Sequence, residues 1–255
     1  MKRYDLIDTL RGFSIISMIA FHTCWLMNYF GYAISNEMLY GTGFLVWERT
    51  ICIGFILISG FSFSFGHRHI RTGIKLIIIG ALITFITCMV IPKSPIVFGI
   101  LTFLGSAVLI MIPIDKAYQR ASKGGDLSEP VNALLLAANL ILFVFTYNIN
   151  RGYLGFESIS SLDLPKVLYS GYISTFIGFM KPGFVSSDYF SLLPWIFIYI
   201  SGYFLHKAVM GSPGSKKVLC HGIPQLSFLG RHSLSIYIVH PVVIFLILYL
   251  MRYYA

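Results

Sequence analysis

The sequence carries little charge. Only 11% of its 255 residues are charged, whereas an average soluble domain has about 25%. Hydrophobic residues make up 56% of the chain. So few charged groups do not cover the water-exposed surface of an ordinary globular protein. The composition therefore excludes a typical soluble domain and indicates a chain that is largely surrounded by lipid.

Cysteine is also scarce, and its spacing excludes two kinds of site. The four cysteines, Cys24, Cys52, Cys88 and Cys220, are isolated from one another. They form neither a disulfide framework nor a set with the spacing of metal ligands. We interpret them as small core residues and expect no metal.

Long apolar segments are abundant instead. A helix needs about 20 mostly apolar residues to cross roughly 30 Å of hydrocarbon. Seven segments qualify, at residues 12–31, 50–66, 73–91, 96–114, 131–149, 189–206 and 233–251. Runs such as Ile74–Ile91 lack the alternation of a β-barrel strand. We predict an all-α, polytopic integral membrane helix bundle of about seven transmembrane helices, forming one domain over residues 1–255.

Positive charge gives the bundle an orientation. Basic residues favour the cytoplasmic connections of a membrane protein. With the N-terminus in the cytoplasm and the C-terminus outside, only six of the 19 Lys and Arg residues fall on the outer side: Arg49, Lys93, Arg151, Lys166, Lys181 and Arg252. We predict insertion in the plasma membrane, which in a bacterium is the inner membrane. Orientation and contact with anionic lipid then explain the net charge of +9, so we expect no nucleic-acid partner.

One outer connection, from about Asn150 to Asp188, is unusually long. It contains Val167–Met180, an apolar and aromatic segment that is too short to span a bilayer. Backbone that does not span is tolerated at membrane depth where protein buries it or where it lines a watery cavity. Two interpretations stay open: a re-entrant or interfacial segment, and an ordinary amphipathic outer loop.

Two histidines fall well inside the apolar segments, away from their ends. An ionisable side chain at membrane depth costs at least about 2.5–3.5 kcal/mol, which makes each one a candidate functional residue. His22 lies about 16 Å beyond Arg11 along a helix, near the middle of the bilayer. His240 precedes Pro241, which frees a backbone carbonyl that can orient an imidazole, and Tyr237 shares its helical face. A purely structural hydrogen bond explains either histidine equally well.

Two carboxylates belong at the outer interface in this topology. Glu48 starts the second apolar segment and Asp188 starts the sixth. They are either interfacial anchors or groups that position or deprotonate an acceptor. At the other side, Asp8 and Arg11 are spaced i, i+3 and are close enough to pair.

The connection after the second segment and the start of the third form a cationic cluster. It consists of His67, Arg68, His69, Arg71 and Lys75. Most such clusters simply follow the positive-inside rule. The same charges would also suit the phosphates of a large anionic cofactor.

Short motifs along nearly the whole chain resemble membrane acyltransferases. Asp8-x-Leu10-Arg11-Gly12, with His22 fourteen residues after Asp8, resembles the first-helix signature of acyltransferase-3 proteins. Four further motifs resemble the bacterial heparan-α-glucosaminide N-acetyltransferase catalytic-domain-like family: Gly60-Phe61-Ser62, Phe98-Gly99-Ile100-Leu101 with Gly105, Ser187-Asp188-Tyr189-Phe190-x-Leu192-Leu193-Pro194-Trp195, and Gly230-Arg231-His232-Ser233-Leu234-x-x-Tyr237-x-x-His240-Pro241.

This resemblance implies an acyl-CoA-dependent O- or N-acyltransferase. It would move an acetyl or other acyl group from cytoplasmic acetyl-CoA to an amine or hydroxyl of a glycan-like acceptor outside. The expected catalytic residues are His22, His240, Asp188 and Glu48. The expected CoA-binding residues are Asp8, Arg11, Arg68, Arg71, Lys75 and Arg231. Whether His22 carries the acyl group or acts as a base stays open, as does a homo-oligomeric state.

Two non-enzymatic alternatives also stay open. A small transporter or channel would use the same histidines and carboxylates as an ion path, although no symmetry between the two halves of the sequence is evident. A scaffold would use the polar residues only for helix packing. The segment Tyr29–Tyr40 departs from the family pattern, because it lacks the histidine that the lysosomal namesake carries after its first helix.

The orientation is testable by chemical labelling. We expect a Lys123→Cys variant to react with a membrane-impermeant maleimide only after the cytoplasmic side is opened, because residue 123 lies in an inner connection of this topology. Labelling of residue 123 in intact cells would reverse the orientation.

Overall fold

A computed structural model describes residues 4–32, 34–156, 160–211 and 213–254 of the chain. Most of these residues are helical. The helices are α1 Asp5–Tyr29, α2 Asn36–Leu39, α3 Thr42–Phe63, α4 His69–Val90, α5 Ile100–Ala121, α6 Glu129–Thr146, α7 Tyr172–Ile177, α8 Leu192–Met210, α9 Pro213–Leu219, α10 Pro224–Arg231 and α11 Ser233–Tyr254.

Seven helices within the described residues are long and apolar enough to cross a membrane. They are α1, α3, α4, α5, α6 with its continuation to Arg151, α8 and α11. This confirms the all-α polytopic bundle. Several segment starts were wrong, and two of them concern the carboxylates: α3 begins at Thr42, so Glu48 lies inside the helix, and α8 begins at Leu192, so Asp188 precedes it. Hydropathy marks where apolar residues begin, whereas a helix continues as long as its backbone hydrogen bonds do.

The long connection between residues 150 and 188, which we predict to lie outside, contains a β-hairpin that the sequence did not predict. Strand β1, Tyr153–Phe156, pairs antiparallel with β2, Ser160–Asp163. A 3₁₀ helix at Ile149–Arg151 precedes the hairpin, and another at Lys166–Tyr169 follows it. Helix α7 has six residues and is about 9 Å long, far too short to span a bilayer. Whether residues 167–180 enter the membrane stays a prediction.

The chain forms two compact units. The first contains residues 1–58 and 210–255, and the second contains residues 59–209. The single domain expected for the whole chain stays a prediction.

In the first unit, α1 contacts α10 backbone to backbone. A Cβ atom at Gly12 would collide with the α10 backbone, and one at Gly230 would collide with the carbonyl of Asp8. Beside these glycines, the hydroxyls of Thr9 and Ser227 lie 2.8 Å apart and share a hydrogen bond. Small residues permit this close approach in membrane helices. The first and last sequence motifs therefore meet in one interface.

Glycines also permit close contacts between the helices of the second unit. Helix α4 contacts α5 where Gly73 faces Gly105, since a Cβ atom on Gly105 would lie 2.7 Å from the Gly73 carbonyl oxygen. The end of α3 contacts α8 at Gly60, where a Cβ atom would collide with the backbone of Tyr199. Phe103 of α5 and Tyr203 of α8 are fully buried in the core of this unit.

We expect Gly12→Ala and Gly230→Ala each to destabilise the protein, because the added methyl group forces α1 and α10 apart. Overpacking of this kind costs about 1–3 kcal/mol, and thermal unfolding in detergent measures it as a lowered Tm. Gly54→Ala is the matched control, because a Cβ atom at Gly54 of α3 meets no described atom within 4 Å. A Tm equal to wild type in both interface variants would contradict the close packing.

Candidate functional site

A pair of histidines lies within the first unit, where α1 contributes His22 and α11 contributes His240. Nδ1 of His22 is 2.7 Å from Nε2 of His240, although the residues are 218 positions apart in sequence. The two rings are nearly parallel, with centroids 4.9 Å apart and planes inclined by 16°. His240 is buried and His22 is half-buried. The two candidate catalytic histidines are thus in direct contact.

The hydrogen bonds of the pair determine where its protons lie. Nδ1 of His240 is 3.1 Å from the carbonyl oxygen of Ile236, and a carbonyl only accepts, so His240 carries its proton on Nδ1. The carbonyl of Tyr237, which loses its helical partner because Pro241 has no N–H, also bonds to this imidazole. In a neutral pair, Nε2 of His240 is therefore an acceptor and His22 donates from Nδ1. This leaves the lone pair of His22 on Nε2.

Helix α3 supports the helix that carries His22. The indole Nε1 of Trp47 donates a hydrogen bond to the hydroxyl of Ser17, at 2.8 Å. The Trp47 ring also meets the ring of Phe21 edge to face, with centroids 5.5 Å apart. Glu48, in the same unit, is half-buried and makes no hydrogen bond or ion pair with any residue that the structure describes. Its carboxylate therefore has no structural partner there.

Asp188 belongs to the second unit and lies at the start of α5. Its Oδ2 accepts a hydrogen bond from the backbone N–H of Ile100, the first residue of that helix, at 3.2 Å. A carboxylate stabilises a helix N-terminus by this bond and by its charge. Next to it, the backbone N–H of Phe190 donates to the carbonyl of Phe98, at 2.9 Å. Hydrogen bonds thus join the two motifs around residues 98 and 188.

Two tyrosines hold the segments between α6 and α8 of the second unit. The hydroxyl of Tyr189 donates to the carbonyl of Thr175, at 2.6 Å, and that of Tyr169 donates to the carbonyl of Ile149, at 2.6 Å. Burial raises the pKa of Tyr189 to about 12, although its hydrogen bond with Ser191 acts in the opposite direction. Burial also raises the pKa of Tyr169. Both hydroxyls therefore remain protonated donors at neutral pH.

A cationic groove of about 1040 Å³ lies along α4 and α5 in the second unit. Three predicted cofactor residues, Arg68, Arg71 and Lys75, line it together. The remaining lining residues are His67, His69, Lys116 and five isoleucines, namely Ile70, Ile74, Ile78, Ile79 and Ile112. No acidic residue is among these described lining residues. The groove combines basic side chains with an apolar wall.

The other three predicted cofactor residues lie in the first unit. Nη1 of Arg11 is 3.2 Å from Oδ1 of Asp8, which confirms the pairing that their i, i+3 spacing predicted. Arg231 is the last residue of α10 and is exposed.

Lys116 is a groove residue that the sequence reasoning did not assign. It lies on α5, about forty positions after the cluster on α4, and its only sequence signal was membership of the inner basic residues. Its place in the groove depends on the packing of α5 against α4.

These observations define a polytopic membrane protein in which two apolar helices, α1 and α11, bring a pair of histidines into contact. The family model described as heparan-α-glucosaminide N-acetyltransferase, catalytic, matches residues 3–242. The chain belongs to this family, which confirms the resemblance of its motifs and implies a transmembrane acetyltransferase-like function. Neither the curated proteins nor the solved structures contain a significant match to the chain.

Proposed function

We propose that this protein transfers an acetyl group from cytoplasmic acetyl-CoA to an amine or hydroxyl of a glycan-like acceptor at the outer side of the plasma membrane, with its N-terminus in the cytoplasm. The observation that carries this proposal is the 2.7 Å hydrogen bond between His22 and His240, which leaves an imidazole lone pair on Nε2 of His22. Membership of the family supports acetyl transfer as the reaction.

The lone pair supports two chemical routes. In the first, Nε2 of His22 attacks the thioester carbonyl, a C–N bond forms, and the C–S bond breaks with release of the CoA thiolate. The acceptor then attacks the acyl-imidazole, the C–N bond breaks and restores His22, and the proton that the acceptor loses balances the CoA thiolate. In the second, Nε2 removes the proton of an acceptor that attacks the thioester directly. Positive charge develops on His22 in both routes, and the bond from its Nδ1–H to His240 becomes stronger as it does.

The cationic groove supports binding of the donor. Arg68 and Arg71 offer planar guanidinium groups that bind phosphate oxygens with two hydrogen bonds each, and Lys75 adds a third charge. Acetyl-CoA carries several phosphates together with an uncharged arm, which suits a basic groove with isoleucine walls. Asp8, Arg11 and Arg231 stay proposed CoA-binding residues from the sequence and the resemblance.

The two carboxylates receive different proposed roles. Glu48 has no structural partner among the described residues, which supports a role in binding the acceptor amine or hydroxyl. Asp188 holds the first backbone amide of α5, which supports a role as a positioning residue.

His22→Ala should lower kcat about 10²–10⁴-fold, because it removes the reacting nitrogen. His240→Ala should lower kcat less, and His240→Gln should recover part of the loss, because a Gln carbonyl still accepts the proton of His22. The assay follows radiolabelled acetyl transfer from acetyl-CoA to glucosamine by protein in nanodiscs. His221→Ala is the control, since His221 is exposed, lies between α9 and α10, and bonds through Nδ1 to the carbonyl of Lys217.

Two outcomes would contradict this assignment. A wild-type protein that neither binds acetyl-CoA nor releases CoA is not an acyl-CoA-dependent transferase. Loss of turnover in His240→Ala, with His22→Ala still active, would show that His22 is not the reacting residue.

We expect the double variant Arg71→Gln/Lys75→Gln to weaken CoA binding by at least tenfold, because a charge-assisted hydrogen bond contributes about 1.5–3 kcal/mol. The KM for acetyl-CoA should rise more than kcat falls, as for a loss of uniform binding. Calorimetric titration with CoA measures the affinity. Lys216→Gln, at an exposed basic residue of α9, is the matched control. Unchanged CoA affinity in the double variant would exclude the groove as the donor site.

A further inference from the structure

The cationic groove along α4 and α5 continues into an exposed apolar stripe on α4. The stripe begins with the groove residues Ile74 and Ile78 and goes on through Leu82, Phe85 and Met89. All five side chains are exposed, and their spacing of three or four residues places them on one face of the helix. Because α4 is one of the seven apolar spans, its exposed apolar side chains contact lipid. One wall of the groove is therefore open to the hydrocarbon of the bilayer.

The basic residues lie at one end of this stripe. Arg71 and Lys75 are one helical turn apart on the same face of α4, and Lys116 joins them from α5. From Arg71 to Ile79, the last groove residue of α4, the helix rises about 12 Å, which is close to half of a hydrocarbon core of about 30 Å. The groove thus combines charge at one membrane surface with an apolar wall about one leaflet deep.

The charges of the groove are not neutralised by the described part of the protein. The four groove cations are Arg68, Arg71, Lys75 and Lys116. All four are exposed, and none forms an ion pair or a side-chain hydrogen bond with a residue that the structure describes. Like charges that share a groove repel one another. A phosphate group relieves this repulsion and matches the planar guanidinium groups of the two arginines.

The open apolar wall favours a phosphate that is attached to lipid. Acyl chains that cover Ile74 and Ile78 hold their own headgroup beside the groove cations, so the phosphate binds at a high effective concentration. No polar group has to enter hydrocarbon for this contact, since the chains are as apolar as the wall. Basic pockets between membrane helices on the cytoplasmic side bind anionic headgroups in this way. A free phosphate compound lacks this advantage.

We infer that the cationic groove binds an anionic phospholipid of the cytoplasmic leaflet, with its phosphate on the four groove cations and its acyl chains along the isoleucines. The preference for an anionic lipid rests on the groove itself, and the choice of leaflet rests on the predicted orientation. A second consequence rests on the proposed function. If the groove also binds acetyl-CoA, lipid and donor compete for the same cations, and the anionic lipid content of the membrane regulates acetyl transfer.

Two phospholipids with the same acyl chains test the site. Phosphatidylglycerol has a net negative headgroup, whereas phosphatidylcholine has none. Native mass spectrometry of the full-length protein in detergent should show at least tenfold tighter binding of phosphatidylglycerol, because the groove cations attract only its headgroup. Glycerophosphoglycerol is the same anionic headgroup without acyl chains. At an equal concentration it should leave the bound lipid in place.

Variants assign the binding to the groove. Arg71→Gln/Lys75→Gln should weaken binding of phosphatidylglycerol at least tenfold, because two charge-assisted contacts to the phosphate are lost. Lys116→Glu should weaken it independently of the double variant, because it places a negative charge in the groove. Lys216→Gln/Lys217→Gln is the matched control. It removes two charges from exposed residues of the same predicted side that do not line the groove.

Competition is measured on the wild-type complex with phosphatidylglycerol. Added CoA should release the bound lipid. Because coupling between two ligands is reciprocal, this release measures how much the lipid lowers the affinity for CoA. Calorimetric titration of the lipid-free protein with CoA is run in parallel.

Equal binding of the two phospholipids, or unchanged binding of phosphatidylglycerol in both groove variants, would overturn the inference. Displacement of the lipid by an equal concentration of glycerophosphoglycerol would show a phosphate site without a role for the acyl chains, and would overturn it too. Lipid that stays bound while CoA binds would overturn the competition. Selective lipid binding by a protein that binds no CoA would refute the proposed function and support the lipid site, so that the two failures are distinguishable.

Discussion

Hydrocarbon offers no hydrogen-bond partner, so a polar side chain within a membrane span must bind another part of the protein. His22 meets this requirement through His240, and His240 meets it through the carbonyl of Ile236. Because the final acceptor in this chain is a carbonyl, the direction of each hydrogen bond follows in turn. The interactions that make the histidines tolerable in the membrane also leave one lone pair available for chemistry.

The same constraint explains the glycines of the sequence motifs. Lipid supplies no hydrophobic driving force between helices, so their association depends on close packing. Gly12 and Gly230 permit backbone contact between α1 and α10, and Gly60 permits it between α3 and α8. Around residues 98 and 188, backbone hydrogen bonds perform the corresponding function. Much of the family signature therefore specifies packing, and only a few of its residues are available for a reaction.

Basic side chains of the second unit line two chemically different cavities. The groove along α4 and α5 combines basic residues with isoleucines, as expected for a ligand with an anionic part and an uncharged part. The cavity lined by Arg151, Lys166 and Lys181 combines basic residues with aromatic rings and an amide. The basic residues of the second unit thus lie in two separate settings, one with an aliphatic wall and one beside aromatic rings.

The seven spans and the two candidate histidines were predictable from the sequence, because bilayer thickness and the cost of burying an ionisable group both act on local composition. The pairing of Asp8 with Arg11 was predictable too, since one helical turn brings them together. The start of α3, the hairpin and the partner of Asp188 were not, because hydropathy does not register where backbone hydrogen bonds end. The contact of His22 with His240, the addition of Lys116 to the groove and the convergence of Arg151, Lys166 and Lys181 were decided only by the tertiary structure. Each of these joins segments distant in sequence, and their distances depend on which backbones approach closely enough to pack.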